Sequence, residues 1–484
     1  MKKVAALISL FFFALTLSAC EVKVREEEPP STEITPTAYE ISVELSPATN
    51  SLSVVTDISY SVPADDIAAI KLNLYANLYR EGNTLLPEEL YSSIYPGGHP
   101  SYGGVKIREI SSQGVPLSYD LGREGTLITV RFPEKMKEGD RISLHIEEEV
   151  LLANAKHRLG YYDGYYHLSR FYPEVCPYIG GCFRSHPYTP YGDPFVSEAA
   201  DFSVIFTLPE EYVVAASAKE DLREMQGTFS IYRYHIEGAR DFAIITSPFL
   251  KKREGTLSGT PLSYYYASDR HSAETFSFLE SVFSCFCENF GSYPYSSFAI
   301  VSAPFFEAGM EHSGVGLVSN TLSEASFKEA LAHETAHQWW YGKVGNDEFT
   351  DPWMDEGLAE YSVAYYYKAQ SSKAAYRSAI KQAESAYETR LAIKGQEGTR
   401  FDRPLSELSD GYYERVYCGG LLLFHTLAQM VGSEALHTAL RGYADRYAGK
   451  IAQPSDLIAT LSASLDRDYT LFFDLWLSAS LPVL

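Results

Sequence analysis

Cysteine is scarce, with six in 484 residues. Five of them, Cys176, Cys182, Cys285, Cys287 and Cys418, lie beyond the first twenty positions, and no spacing among them makes a structural zinc site. Cys176 and Cys182 flank a turn-rich Pro-Tyr-Ile-Gly-Gly loop, so they are either a local disulfide or two free thiols. Cys285 and Cys287 stand two apart in a helical pattern; their side chains point in different directions and do not pair. Positive charge is also short. Forty Lys and Arg face 63 Asp and Glu, a formal net charge of -23. Phosphate backbones are bound by clustered Lys and Arg, so nucleic acid is excluded as a partner. Internal repeats are absent, and so are low-complexity stretches outside a short N-terminal tether.

The first residues carry the pattern of an export signal. Lys2 and Lys3 precede an apolar run from Val4 to Leu17, shorter than the roughly 20 residues that cross a bilayer. Leu17-Ser18-Ala19-Cys20 has the form of a bacterial lipobox. Residues 1–20 are expected to be a lipoprotein signal peptide, cleaved before Cys20 with lipidation of its thiol. The alternatives are an uncleaved anchor or an ordinary secretory signal, and each of the three puts the chain outside the cytoplasm. Residues 21–37, with Glu26-Glu27-Glu28-Pro29-Pro30, read as a disordered tether to the membrane.

Hydrophobic residues make up 45% of the chain, an ordinary figure for a globular protein, and the length suits two or three domains. From residue 38 to 250 the pattern is short and alternating. Tyr39-Glu40-Ile41-Ser42-Val43-Glu44-Leu45 is a half-buried strand, and similar runs recur within 50–62, 70–75, 126–132, 141–147, 202–207 and 231–237. An all-β sandwich with a saddle-like extension is expected there. From residue 251 to 484 two strand patterns, 262–267 and 298–303, give way to helices, an α+β organisation. The 37 tyrosines are taken as half-buried strand and helix residues.

The chemistry concentrates in His333-Glu334-Thr335-Ala336-His337. On a helix, residues four apart share a face, so two imidazoles aim at one point. Imidazole nitrogen is a zinc ligand, and a catalytic zinc takes three protein ligands with one open position. Glu334 is then placed to accept a proton from water. Eighteen residues separate His337 from Glu356, room for a loop and a second helix to return Glu356 as the third ligand. One helix is expected over 323–344, with Phe327, Leu331, Trp339 and Trp340 as its apolar stripe. Asp351-Pro352 marks the start of the next.

His333 to His337, the spacer and Glu356 resemble the signature of the aminopeptidase N-like zinc metallopeptidases, a branch of the gluzincins. Upstream, Ala308-Gly309-Met310-Glu311-His312 is similar to that family's G-[AG]-M-E-N motif. Downstream, Tyr417-Cys418-Gly419-Gly420 is similar to its Y-x-K-G segment. The resemblance implies a β domain followed by a thermolysin-like α+β catalytic domain, and one zinc per chain. It also implies that Tyr417 donates to the developing oxyanion and that Glu311 holds the substrate's α-amine. Gly309 and Met310 would then run beside the peptide. Ala308, His312 and Gly419 depart from the family pattern. No clear copy is present of the acidic or amide residue that the N-terminal domain adds to substrate binding; Asp193 and Glu198 are candidates. Larger family members continue into a helical C-terminal domain. This chain stops at Leu484, so the expectation is a more open cleft.

Three smaller questions stay open on sequence. Glu360 either orients a ligand histidine or is a plain surface acid. Cys418 either approaches the zinc or is a buried inert thiol. His312 is either a substrate contact or a loop residue. The leading expectation is a zinc aminopeptidase acting on peptides outside the cytoplasm. The alternatives are a zinc endopeptidase with the same core and a non-catalytic peptide-binding lipoprotein.

Overall fold

Alternation of buried and exposed residues builds the first half of the chain. In Thr37–Ser46, Tyr39, Ile41, Val43 and Leu45 turn inward while Glu40, Ser42 and Glu44 face water. The structure, a computed structural model, describes residues 36–479 except 123, 270 and 371. The signal, Cys20 and nearly all of the tether therefore lie outside the described residues.

Thr37–Ser46 sits in the middle of an eight-stranded sheet. It pairs antiparallel with Ser51–Ser61 on one side and parallel with Ala200–Pro209 on the other. Arg141–Leu151 and Phe229–Ala239 extend the two flanks. Two four-stranded sheets pack against this one, around Ile67–Asn73 and around Tyr165–Ser169, over one shared apolar core.

The second half opens with a mixed five-stranded sheet in the order Lys251–Leu257, Thr260–Tyr266, Phe298–Ala303, Val315–Ser319, Gly309–Met310. Its inner pairs are parallel and its outer pairs antiparallel. Gly309–Met310 is an edge strand, with one side of its backbone unpaired within the sheet. Helices Ser272–Phe290, Glu324–Ala336, Trp353–Ala369, Lys373–Lys394 and Gly419–Val431 pack into one large core. The molecule is thus a multi-strand β domain followed by a helix-rich α+β domain, the expected fold class.

Two thiol expectations resolve here. Cys176 and Cys182 are free: Cys176 is buried and donates to Asn73 Oδ1 at 3.4 Å, and Cys182 is exposed. Cys285 and Cys287 are both free on helix Ser272–Phe290. About half of the tyrosines are more deeply placed than the half-buried expectation, with Tyr39, Tyr60, Tyr172, Tyr234 and Tyr264 in the core, and most of the others are half-buried as expected.

One buried group strains the first domain. Glu148 lies on the inward face of Arg141–Leu151 beside Ile146 and Val150, and neither carboxylate oxygen has a partner among the described residues. Burial pushes its pKa up to about 8. A folded-state pKa above the unfolded value gives stability that is complete below the ordinary value of 4.5 and lost as pH rises through about 8. Glu148→Gln, which mimics the protonated form, is expected to match the parent near pH 4.5 and to exceed it by about 5 kcal/mol above pH 8. Urea denaturation of both proteins across that range checks this; parallel pH profiles would refute it.

Candidate active site

Ser323 caps the helix that carries the two histidines, its Oγ accepting from Ser326 N. The helix spans Glu324–Ala336, shorter than the single helix expected over 323–344. After His337 the backbone bonds lengthen to a five-residue span: Gly342, Lys343 and Val344 N–H groups donate to the carbonyls of His337, Gln338 and Trp339. The chain then turns away. Trp339 and Trp340 are buried as expected, but from this turn, with their indole N–H groups donating to Gly291 O and Ser362 Oγ. Apolar periodicity marked the burial correctly and could not mark the change of hydrogen-bond span.

The turn sets the tautomer of His337. Its Nδ1–H donates to Trp340 O at 3.0 Å, which leaves the Nε2 lone pair pointing at His333 Nε2, 2.9 Å away. Glu356, in the first turn of helix Trp353–Ala369, brings Oε2 to 3.0 Å from His333 Nε2 and 3.4 Å from His337 Nε2. The other nitrogen of His333, Nδ1, lies 3.0 Å from Glu360 Oε1. One donor atom from each of His333, His337 and Glu356 falls within a 4.8 Å span. Burial favours neutral imidazole, yet Glu356 and Glu360 raise the pKa of His333 well above its usual value, so the pocket's field favours a cation. Two nitrogens and one oxygen, with His337 Nδ1–H held by Trp340 O and His333 Nδ1 facing Glu360, fit a tetrahedral zinc with one position open.

Glycines allow the approach of the remaining groups. A Cβ on Gly309 would stand 2.1 Å from Glu334 Oε1, so the edge strand reaches the catalytic helix only without a side chain there. Gly357 and Gly420 cross backbone to backbone, and a Cβ on either would meet the other at 2.9 or 2.6 Å. That crossing seats the π-helical turn Tyr413–Cys418 beside the second helix, where Tyr417 Oη donates to Glu356 Oε1 at 2.5 Å. Burial, then Glu356, keeps the Tyr417 phenol protonated.

The cleft around these groups has a volume of about 540 Å³. Glu334 and Glu311 both face it and are each 4% exposed. Burial pushes Glu334 up to about 7, against the pull of His333 and His337. Burial and neighbouring acids raise Glu311 as well. Asp193 lines the cleft; Glu198, the other candidate, instead accepts from Tyr178 N and is absent from the lining. Cys418 is a buried thiol whose pKa burial raises to about 12, inert at neutral pH.

Some partners were not visible in the sequence. Asp241, on a loop of the β domain, sits 2.8 Å from His312 Nδ1 and accepts from Ser313 N at 2.8 Å. Burial alone would raise Asp241, but His312, Arg170 and the Ser313 N–H together outweigh it and pull it down to about 2. His312 is therefore a buried clamp for the Glu311 loop, and its carbonyl accepts from Gln338 Nε2. Arg158 was missed as well: its Nη2 donates to Asp193 Oδ1 at 2.5 Å and its Nε to Met310 Sδ at 3.1 Å. Neither has a local sequence signal, since each pairing spans more than 30 residues.

Two histidines one turn apart, a carboxylate returned by a second helix and an adjacent unpaired glutamate define a gluzincin-type zinc hydrolase centre. Residues 270–476 match the peptidase family M1 domain. Endoplasmic reticulum aminopeptidase 2 of Homo sapiens is 24% identical over 244 residues, 44% of this chain and 24% of its own length. Aminopeptidase N of Streptomyces lividans is 23% identical over 313 residues, 58% of this chain and 35% of its own. The chain thus spans well under half the length of these relatives. The M1 zinc metallopeptidase of Deinococcus radiodurans shares the fold, with a TM-score of 0.66 at 17% identity over 92% of this chain and 95% of that one. A mutant of that protein bound to a Tyr-Ser-Ala substrate aligns equally well, with a TM-score of 0.66 at 16% identity over 93% and 96%. Residues 270–476 thus carry the likeness to the peptidase family M1 domain, and the two imidazoles and the carboxylate of the site fit one catalytic zinc.

Glu360→Gln is expected to weaken zinc binding about 10–100-fold by loosening the His333 ring. Competition with a chromophoric chelator measures this, and unchanged affinity would reduce Glu360 to a surface acid.

Proposed function

We propose that the chain is a zinc aminopeptidase that removes N-terminal residues from peptides, with His333, His337 and Glu356 as the metal ligands. The observation that carries this is Glu311: a buried carboxylate facing the cleft, with no hydrogen-bond donor among the described residues. A free α-ammonium is the partner such a group lacks. An endopeptidase has no use for a buried unpaired acid at the end of its cleft.

When bound, zinc supplies Lewis acidity, acidifying water and polarising a carbonyl. The protein's own groups do the rest. Glu311 holds the α-ammonium and so fixes which peptide bond reaches the centre. The open edge of Gly309–Met310 offers backbone groups to the extended peptide, as an added strand would be held. Glu334 takes the proton of the attacking water and delivers it to the leaving amine; its value near 7 suits both halves of that task, and a neighbouring dication draws it lower. Tyr417 offers its phenolic hydrogen to the oxygen that becomes negative. The lipobox reading of residues 17–20 supports a site of action outside the cytoplasm, with the chain held to the membrane through Cys20.

The test pairs aminoacyl fluorogenic amides with their N-acetylated counterparts, using zinc-loaded full-length chain. Cleavage of free-amine substrates alone is expected. Glu334→Gln should cost about 10²–10⁴-fold in kcat. Glu311→Gln should cost about 10–100-fold in kcat/KM, the loss of one charge-assisted hydrogen bond. Turnover of the acetylated set would move the chain to the endopeptidase reading, and silence on both sets would revive the binding role.

A further inference from the structure

Glu307 is a carboxylate that the reaction above leaves unused. It lines the cleft on the segment that leads into Gly309–Met310, at the end that holds Glu311 and Asp193. None of the described residues lining the cleft is Lys or Arg. The one guanidinium nearby, Arg158, stands behind the wall with its side chain 6% exposed. It grips Asp193 at 2.5 Å and reaches Glu307 only at 3.3 Å, with the Glu307 side chain 37% exposed.

Counting charges at this end leaves one over. Glu334 and Glu356 balance a zinc dication. Arg158 balances Asp193. The substrate's α-ammonium balances Glu311, which is 4% exposed and accepts from no described side chain. Glu307 remains, facing the space where the side chain of the first substrate residue must lie. Aromatic surface frames the same space: Tyr191 and Tyr412 line it, and Tyr412 packs on Gly192, whose Cβ would meet its hydroxyl at 2.6 Å. A carboxylate beside aromatic faces is a seat for guanidinium or ammonium.

We propose that Glu307 makes this site selective for peptides whose first residue carries a cationic side chain, arginine or lysine. The selectivity rests on the aminopeptidase reading. Asp193 and Arg158 position Glu307, and Glu307 makes the contact.

The test measures kcat/KM for arginyl, lysyl, citrullyl, leucyl and methionyl amides with zinc-loaded full-length chain and with Glu307→Gln. Citrulline keeps the shape of arginine without its charge. Arginyl and lysyl amides should exceed the three neutral ones at least tenfold. Glu307→Gln should lower the cationic pair about 10–100-fold and leave leucyl turnover within about threefold. Neutral substrates matching or exceeding the cationic ones in the parent protein would overturn the proposal without help from the variant. A uniform loss on all five amides in Glu307→Gln would also overturn it, by making Glu307 structural. Turnover of none of the five by the parent strikes the aminopeptidase reading itself, and the selectivity falls with it.

Discussion

Buried negative charge is the constraint around which the catalytic half is organised. Asp193, Glu311, Glu334, Glu348, Asp355 and Glu356, with the partly exposed Glu307 at the rim, crowd around one cleft and its floor. An isolated carboxylate in a medium of low dielectric is costly, and like charges add to the cost. The pKa directions show where that cost is unrelieved. Burial raises Glu307, Glu311, Glu334, Glu348 and Asp355, whereas two imidazoles outweigh burial and pull Glu356 down. A cation that binds only the folded chain relieves this repulsion, so zinc and substrate each stabilise the fold that recognises them.

The carboxylates cannot relax apart, because backbone contacts hold them. Gly309 against Glu334, and Gly357 against Gly420, are approaches that no side chain permits. The Asp241–His312 pair fixes the loop that presents Glu311, and both partners are almost wholly buried. A buried hydrogen-bonded pair adds little net stability against an apolar substitute, but removing one partner leaves the other polar group stranded. Its contribution is therefore to geometry: it permits one position for Glu311 relative to Glu334.

How much of this was legible in the sequence follows from how local each feature is. Period-two alternation gave the strands of the first domain, and i, i+4 spacing gave His333 and His337. The alternation and the His333–His337 pair depend on a few residues of strand or helix geometry, whereas Glu356 came from the eighteen-residue gap and its motif, and Glu360 stayed open between a ligand-orienting acid and a surface one. The parallel pairing of Thr37–Ser46 with Ala200–Pro209 joins segments far apart in the chain, and alternation says which face is buried, never which strand is neighbour. The helix end at Ala336 depended on a change of hydrogen-bond span that hydrophobicity does not encode. Arg158, Asp241 and the role of His312 required the tertiary fold. Glu198 was as reasonable as Asp193 on sequence, and only the direction of the chain after Gly192 separates them.

The division of labour between the halves follows from the same distinction. The metal ligands and Glu334 come from two consecutive helices of one domain, so their geometry is set by short-range structure. The surroundings of the substrate's first residue come from both domains: Arg158 and Asp193 from the β half, Glu307 and Glu311 from the two loops that flank the edge strand Gly309–Met310. Arg170 and Arg240 fasten the same border, donating to Tyr341 Oη and Tyr341 O. Electrostatics on the substrate side can therefore change by single substitutions in loops without moving a zinc ligand. The converse does not hold. A shift of the β domain would carry Asp241 and Arg158 with it, and through His312 and Met310 it would displace the strand that aligns the peptide against Glu334. The β domain is in this sense part of the active site, although it supplies neither the metal nor the base.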